Sequence, residues 1–437
     1  MSTIKGQPYF QAKFDKDGAA LNSISLPAGT TDVFVISHGW RNDENDASQL
    51  YTTLFDNFFD LAAGQLGGRK CAIVGVFWPS RNFDALVAAQ GAGSAQNAAA
   101  IGDAVSDPES QQKVIERLEA LKAPGLFDEP AQKQALSEAQ ALVPKLDKNA
   151  TARTDFMKNL RSLMEPDPAA KEDGSDIFRT MDATDLFHRL NIPAVAVDKD
   201  IAKTGKAMAL HPAGCVAIEG HAAGILDIFK GAAAAATNSV SYLSYFMMKQ
   251  RAGVVGEKGV APLIDKLAAD TKRIHLIGHS FGGRVVAATA KASTNDKIQS
   301  VSFLQAAFSH NGFSPPGQMN GFFRSVIDKH RVKGPLIATY TKNDTAVGIA
   351  YPLASRISGT VAAALGDEND KYGGLGRNGA QKMNANEVVK AQLLAVGGAY
   401  QLKPGLIHNL LADAFISNHG DVTGKEVASA IAAAAFS

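Results

Sequence analysis

Short, unbroken apolar runs alternate along this chain with longer stretches whose apolar residues recur at helical spacing. Residues 32–37, DVFVIS, are rich in β-branched and aromatic side chains and predict a strand. A polar loop, RNDEND, separates them from SQLYTTLFDNFFDLAA at 48–63, whose apolar positions predict a helix. Residues 71–78, CAIVGVFW, form a second apolar run, closed by Pro79. Strand, helix, strand, with the strands apolar throughout, is the pattern of a parallel sheet covered on both faces.

The pattern returns in the second half. SYLSYFMMKQRAG at 241–253 predicts a helix, RIHLIG at 273–278 a strand, and GRVVAATAKAS at 283–293 another helix. IQSVSFLQAAF at 298–308 and PLIATYT at 335–341 predict strands, and a helical tail begins near Asp421. At the start of the chain, PYFQAKF and ALNSISL flank Asp17-Gly18 and predict a hairpin.

Residues 81–225 have a different texture. They open on a low-complexity patch, AAQGAGSAQNAAAIGDA, and continue as short helices. One is well marked: Asp107-Pro108-Glu109 starts it, Val114, Leu118 and Leu121 form its stripe, and Pro124-Gly125 stops it. The chain therefore divides into 1–80, the first part of an α/β core; 81–225, a mainly helical insertion; and 226–437, the rest of the core. An insertion into one loop of a parallel sheet reads as a lid over the carboxyl edge, where such sheets bind ligands. An independent partner-binding domain is the other reading.

Composition narrows the function classes. Of 437 residues, 44 are Lys or Arg and 43 Asp or Glu, so the net charge of +1 offers no bulk attraction for nucleic acid. Only Cys71 and Cys215 occur, which excludes a disulfide framework, and both sit in apolar surroundings. The first residues lack a basic start followed by an apolar stretch, so a cytoplasmic location is expected. Residues 231–248, GAAAAATNSVSYLSYFMM, carry no charge, but their Ala, Ser, Thr and Asn favour a buried or amphipathic helix over a membrane span. Contact with a membrane surface stays open.

The chemistry centres on Gly278-His279-Ser280-Phe281-Gly282-Gly283, a Gly-x-Ser-x-Gly pattern. Five residues with two free positions arise readily by chance; a strand before and a helix after give this match its weight. In that context Ser280 is a nucleophile on a sharp turn, and the Phe281 N–H faces the substrate oxygen. A serine hydroxyl needs a base and an orienting acid, which follow it in the order acid, then histidine. Asp344, just past PLIATYT, fits the acid; Asp413 and Asp421 lie on the same segment as the candidate bases and fit poorly. His419, in the polar loop SNHGD, fits the base better than His408, which lies among Leu and Ile. His310 precedes the acid, while His275 and His279 read as packing residues. A second oxyanion donor is expected after the strand at 32–37, where His38-Gly39-Trp40 supplies the Trp40 N–H and His38 reads as structural.

Together these segments resemble the α/β-hydrolase superfamily, and most closely a bacterial branch of uncharacterised hydrolases sharing HGW and WPS segments. The likeness covers the sheet-forming parts but not 81–225. It implies an α/β-hydrolase fold, with Ser280 as nucleophile, Asp344 as acid, His419 as base, and Trp40 and Phe281 as oxyanion donors. The expected function is hydrolysis of a small-molecule or lipid carboxylic ester. A membrane-acting phospholipase or toxin-like lipase, a peptidase or acyltransferase, and a binding protein without chemistry are the rivals. Gly374-Leu375-Gly376-Arg377-Asn378-Gly379 matches a dinucleotide fingerprint by letter but follows no strand, so it reads as a loop. No cofactor or metal is expected; Asp43, Glu44 and Asp46 read as a solvated helix cap.

Overall fold

The computed structural model describes residues 2–40, 42–80, 106–191, 231–344 and 371–437, together with the backbone at 195–196 and 208–209. Nine strands are β1 (Ser2–Ile4), β2 (Gln7–Lys13), β3 (Asp32–Ser37), β4 (Cys71–Phe77), β5 (Arg273–His279), β6 (Ile298–Leu304), β7 (Leu336–Tyr340), β8 (Val388–Gln392) and β9 (Ile407–Leu411). They form one sheet in the order β1-β2-β4-β3-β5-β6-β7-β9-β8. All neighbours are parallel except β1 with β2. The protein is thus α/β, with a mostly parallel sheet flanked by helices.

The apolar runs became central strands because both their faces are covered. Every residue of β3 and β4 is buried. Helices α1 (Glu44–Ala62) and, at the C-terminus, Lys425–Phe436 bury Tyr51, Phe55, Phe58 and Ile431 in one cluster with Phe34, Ile36 and Ile73. Asp43 caps α1 by accepting from the Asn45 and Asp46 N–H groups, so the acidic cluster at 43–46 is a helix start. Among the described residues, no group of three or more His, Cys, Asp or Glu is arranged to hold a metal.

Of the expected hairpin about Asp17-Gly18 only the turn and one antiparallel bridge, Phe14 to Ala20, form; its second strand does not. A hairpin lies one element earlier, between β1 and β2, turning at Lys5-Gly6. Residues 20–26 form no strand: beyond the bridge at Ala20, the Leu21 N–H donates to the Lys13 carbonyl (2.8 Å) and backbone pairing stops. The reason is Asn22, whose Oδ1 accepts the Lys13 N–H (2.8 Å) and whose Nδ2 donates to the Gln11 carbonyl (2.7 Å). One side chain takes the backbone groups a paired strand would have used. The expected strand at 298–308 is also shorter, ending at Leu304.

The chain divides into two compact units: 1–81, 248–347 and 373–437 in one, and 82–247 with 348–372 in the other. The division falls inside the helix Gly231–Val254, which is buried along most of its length. No helix among the described residues is long and apolar enough to cross a membrane. The described residues of the second unit are mainly helical, with one short antiparallel pair, Val195–Ala196 and Met208–Ala209. Pro108–Ala120 is capped by Asp107 and buries Val114 and Leu118, as its sequence signals predict. Phe178 stacks on Tyr242 (5.4 Å between ring centres), and Asn238 donates to the Leu190 carbonyl at 2.7 Å. The low-complexity patch and Cys215 lie outside the described residues.

Candidate active site

A parallel sheet offers a ligand crevice where successive connections leave in opposite directions. Here the chain runs from β3 to β4 on one side, and from β5 through β6 to β7 on the other. The crevice lies past the carboxyl ends of β3 and β5, where His38-Gly39-Trp40 and His279-Ser280 follow.

Ser280 joins β5 to the helix Phe281–Ala292 with φ 57° and ψ −125°, a conformation costly for any residue with a Cβ. The turn is over-determined by its surroundings. The Ser280 N–H donates to the Leu304 carbonyl (3.1 Å), and the Ser280 carbonyl accepts from Gly283 and Ala307 (2.9 Å each). A Cβ on Gly282 would collide with the Ser37 carbonyl, and one on Gly278 with the Gly282 carbonyl. The two glycines of the motif are therefore required by backbone approach.

The loop after β3 sits directly on this turn. A Cβ on Gly39 would strike the Ser280 Cβ and come within 2.9 Å of Oγ. His38 fixes that loop: its N–H donates to the Tyr51 hydroxyl (2.8 Å), its carbonyl accepts from Trp78 Nε1 (3.2 Å), and its ring stacks on Trp78. Because the Gly39 carbonyl only accepts, His38 Nδ1 carries the proton in the 2.9 Å contact between them. Burial pushes the His38 pKa down to about 4, so it stays a neutral strut. The rings of Trp40 and Phe281 lie 5.8 Å apart.

Two further segments bring a histidine and a carboxylate to the same edge. Asp344, fully buried, follows β7, and its Oδ2 lies 2.9 Å from His419 Nδ1. A carboxylate only accepts, so Nδ1 bears the hydrogen in this contact. His419 is held against the serine turn by its neighbour: His279 Nε2 donates to the His419 carbonyl at 2.8 Å, and the two rings lie 4.9 Å apart. Burial, reinforced by the His419 ring, pushes the His279 pKa down to about 3. No hydrogen bond joins Ser280 Oγ to His419 among the described residues. Catalytic hydrogen bonds of this kind are often long in the absence of substrate and tighten with it.

The structure separates the competitors. Asp413 accepts from Thr341 Oγ1 (2.7 Å) and the Lys342 N–H, bracing the turn before Asp344. Asp421 accepts from the N–H and hydroxyl of Ser417. His408 lies within β9 and accepts the Lys403 N–H through Nε2 at 2.9 Å. His310 faces Asn378 at 3.1 Å. None of these four is bonded to Ser280, Asp344 or His419 in the described structure.

Two residues escaped the sequence reading. His279 is more than packing, because it ties the His419 loop to the serine turn. Gln305, just after β6, has its Nε2 3.3 Å from Asp344 Oδ2. Its only sequence signal is a polar residue closing an apolar run. The arrangement as a whole ties the Asp344–His419 pair, through His279, to the turn that carries the Ser280 hydroxyl at the amino end of a helix. Comparison of the chain with protein-family models, curated proteins and solved structures finds no match.

Proposed function

We propose that this protein is a serine hydrolase of the α/β-hydrolase fold that cleaves carboxylic esters. The observation carrying the proposal is the Asp344–His419 hydrogen bond delivered, from loops far apart in sequence, to the strained turn bearing Ser280.

In this reading Ser280 Oγ attacks the ester carbonyl while His419 Nε2 takes the hydroxyl proton. The carbonyl π pair moves onto oxygen, where the Trp40 and Phe281 N–H groups stabilise it. Phe281 is the first residue of its helix, so its N–H points out of the amino end, where the dipole favours negative charge. Collapse breaks the C–O bond, and His419 returns the proton to the departing alcohol. Water, activated by the same imidazole, then releases the acid and restores Ser280. Asp344 holds the tautomer and stabilises the imidazolium.

The test is covalent labelling. A fluorophosphonate should label the parent on Ser280 and leave folded Ser280→Ala unlabelled, with p-nitrophenyl ester turnover falling by about 10⁴ to 10⁶. A folded Ser280→Ala retaining a tenth of parental activity would remove Ser280 from the mechanism.

A further inference from the structure

Gln305 is the most constrained residue of the site after Ser280. It is fully buried and holds φ at 43°, in the left-handed region that a residue with a side chain rarely adopts. Every hydrogen-bonding group of its side chain is directed. Oε1 accepts from Thr339 Oγ1 at 2.8 Å, and Nε2 donates to the Gly376 carbonyl at 2.8 Å and to Asp344 Oδ2 at 3.3 Å. The Gly376 carbonyl and the carboxylate can only accept, so the orientation of the amide is settled by chemistry.

The segment that receives it is the one mimicking a dinucleotide fingerprint. Residues 374–379 form a short helical turn, Leu375–Asn378, packed so closely that a Cβ on Gly376 would strike the Gln305 backbone. The Gly376 N–H donates to the Ala306 carbonyl, and its own carbonyl also accepts the Thr341 N–H (3.0 Å each). Arg377 reaches over the same turn, its Nη1 donating to the carbonyls of Lys342 (2.7 Å) and Asp344 (3.3 Å). The glycine pattern thus serves a clamp on the acid loop.

We propose that Gln305, set by Thr339 and the Gly376–Arg377 turn, is a positioning residue that fixes the Asp344 carboxylate for His419. This rests on the serine-hydrolase reading. His419 Nδ1 and Gln305 Nε2 address the same oxygen, Oδ2. The amide therefore fixes the carboxylate's rotation, which the imidazolium needs.

A double-mutant cycle in the full-length chain separates positioning from packing. Gln305→Met keeps the length and removes the donor. It should lower kcat on a p-nitrophenyl ester about ten- to a hundredfold, a usual range for a charge-assisted hydrogen bond, and change KM less than threefold. In an Asp344→Ala background the same change should cost less than threefold in kcat and in the rate of fluorophosphonate labelling, because the group it acts through is gone. An equal loss in both backgrounds, or a parental loss under threefold, overturns the proposal. Thr339→Val, which leaves Gln305 in place but unlocks its amide, decides the matter if Gln305→Met does not fold. It should cost about three- to tenfold in the parent and nothing in Asp344→Ala, and equal losses overturn the proposal. A parent that takes no label on Ser280 would fail the serine-hydrolase reading itself, whereas a labelled parent with an additive cycle fails only the role of Gln305.

Discussion

The fold contains two sets of serine, histidine and aspartate, at opposite ends of its strands. At the carboxyl ends stand Ser280, His419 and Asp344. Near the amino ends, Ser300 Oγ lies 2.9 Å from His275 Nδ1, and His275 Nε2 lies 3.4 Å from Asp32 Oδ1. By residue type and contact alone the inner set is the more complete. What differs is strain, charge and access. Ser300 sits within β6, whereas Ser280 is on a left-handed turn. Asp32 bonds Arg273 through both oxygens (2.6 and 2.9 Å) and Arg69 at 2.8 Å, so its charge is already neutralised. His275 lies fully buried in a stack on Phe34, and burial pushes its pKa down against the pull of Asp32. A buried imidazole beside a carboxylate already paired to two arginines is architecture; the proposed function gives proton transfer to the imidazole at the sheet's carboxyl edge.

The largest expected contrast is between the two aspartates. Asp344→Asn removes the charge and keeps the size, so kcat should fall at least about 10²-fold with the fold intact, toward the 10⁴-fold seen for such a change in a serine protease. Asp32→Asn should do the reverse. It leaves Arg69 and Arg273 without their counter-charge and should cost about 3 kcal/mol of stability, with kcat of the folded fraction unchanged. Urea melts beside initial rates read both. A folded Asp344→Asn within threefold of parent would move the acid elsewhere, and a slow Asp32→Asn would join the inner set to the chemistry.

The two sets were not equally legible. Gly278-x-Ser280-x-Gly282 is local, since its glycines answer clashes within a few residues and with one neighbouring loop, and flanking strand and helix patterns frame it. Asp344 and His419 could be placed because each closes or precedes a recognisable element. The inner set comes from register: Asp32 pairs with Arg273 and His275 with Ser300 only once β3, β5 and β6 lie side by side. No spacing along the chain announces that. Gln305 was hidden for the same reason, its partners being Thr339, Asp344 and Gly376. The second strand of the hairpin failed because alternation in ALNSISL counted Asn22 as a polar strand position. It is a side chain that competes for the ladder's hydrogen bonds.

Acid should distinguish the ends by pH window. His38 and His279 have folded pKa values of about 4 and 3, below the ordinary 6.5. The unfolded chain binds more protons than the native one between 6.5 and those values, so their stabilisation is present above 6.5 and lost as pH falls. Together they should cost about 2–3 kcal/mol between pH 7 and 5.5. Asp32 is also desolvated, but hydrogen bonds from Arg273, His275, Thr31 and Arg69 outweigh that and hold it well below the usual carboxylate range. Its contribution is present above its ordinary 3.8 and is lost only as pH falls below that. Urea midpoints should fall from pH 7 to 5.5 and further to 3.5, because the two histidines go on losing stability down to their folded values, and Asp32→Asn should only make the last part of the fall shallower. A flat profile from pH 7 to 5.5 would contradict the neutral burial of His38 and His279.

The smallest effect is the sharpest test of what makes a serine reactive. Asp32 can only accept, so His275 Nε2 carries the ring proton and Nδ1 accepts from the Ser300 hydroxyl. Ser300→Ala removes that donor and leaves a buried nitrogen unsatisfied, at a cost of about 1–2 kcal/mol. Stability is all that should change. Ser300 Oγ already has a histidine in contact, the feature Ser280 lacks in this structure, yet it has neither the strained turn nor a helix amino end beside it. If a hydrogen-bonded imidazole sufficed to activate a serine, Ser300 would be the better nucleophile. The full-length Ser300→Ala protein should therefore take fluorophosphonate at the parental rate and hydrolyse p-nitrophenyl acetate within threefold of parent, with only its urea midpoint lowered. A folded Ser300→Ala with labelling slowed tenfold would show that placement and strain do not separate the two serines.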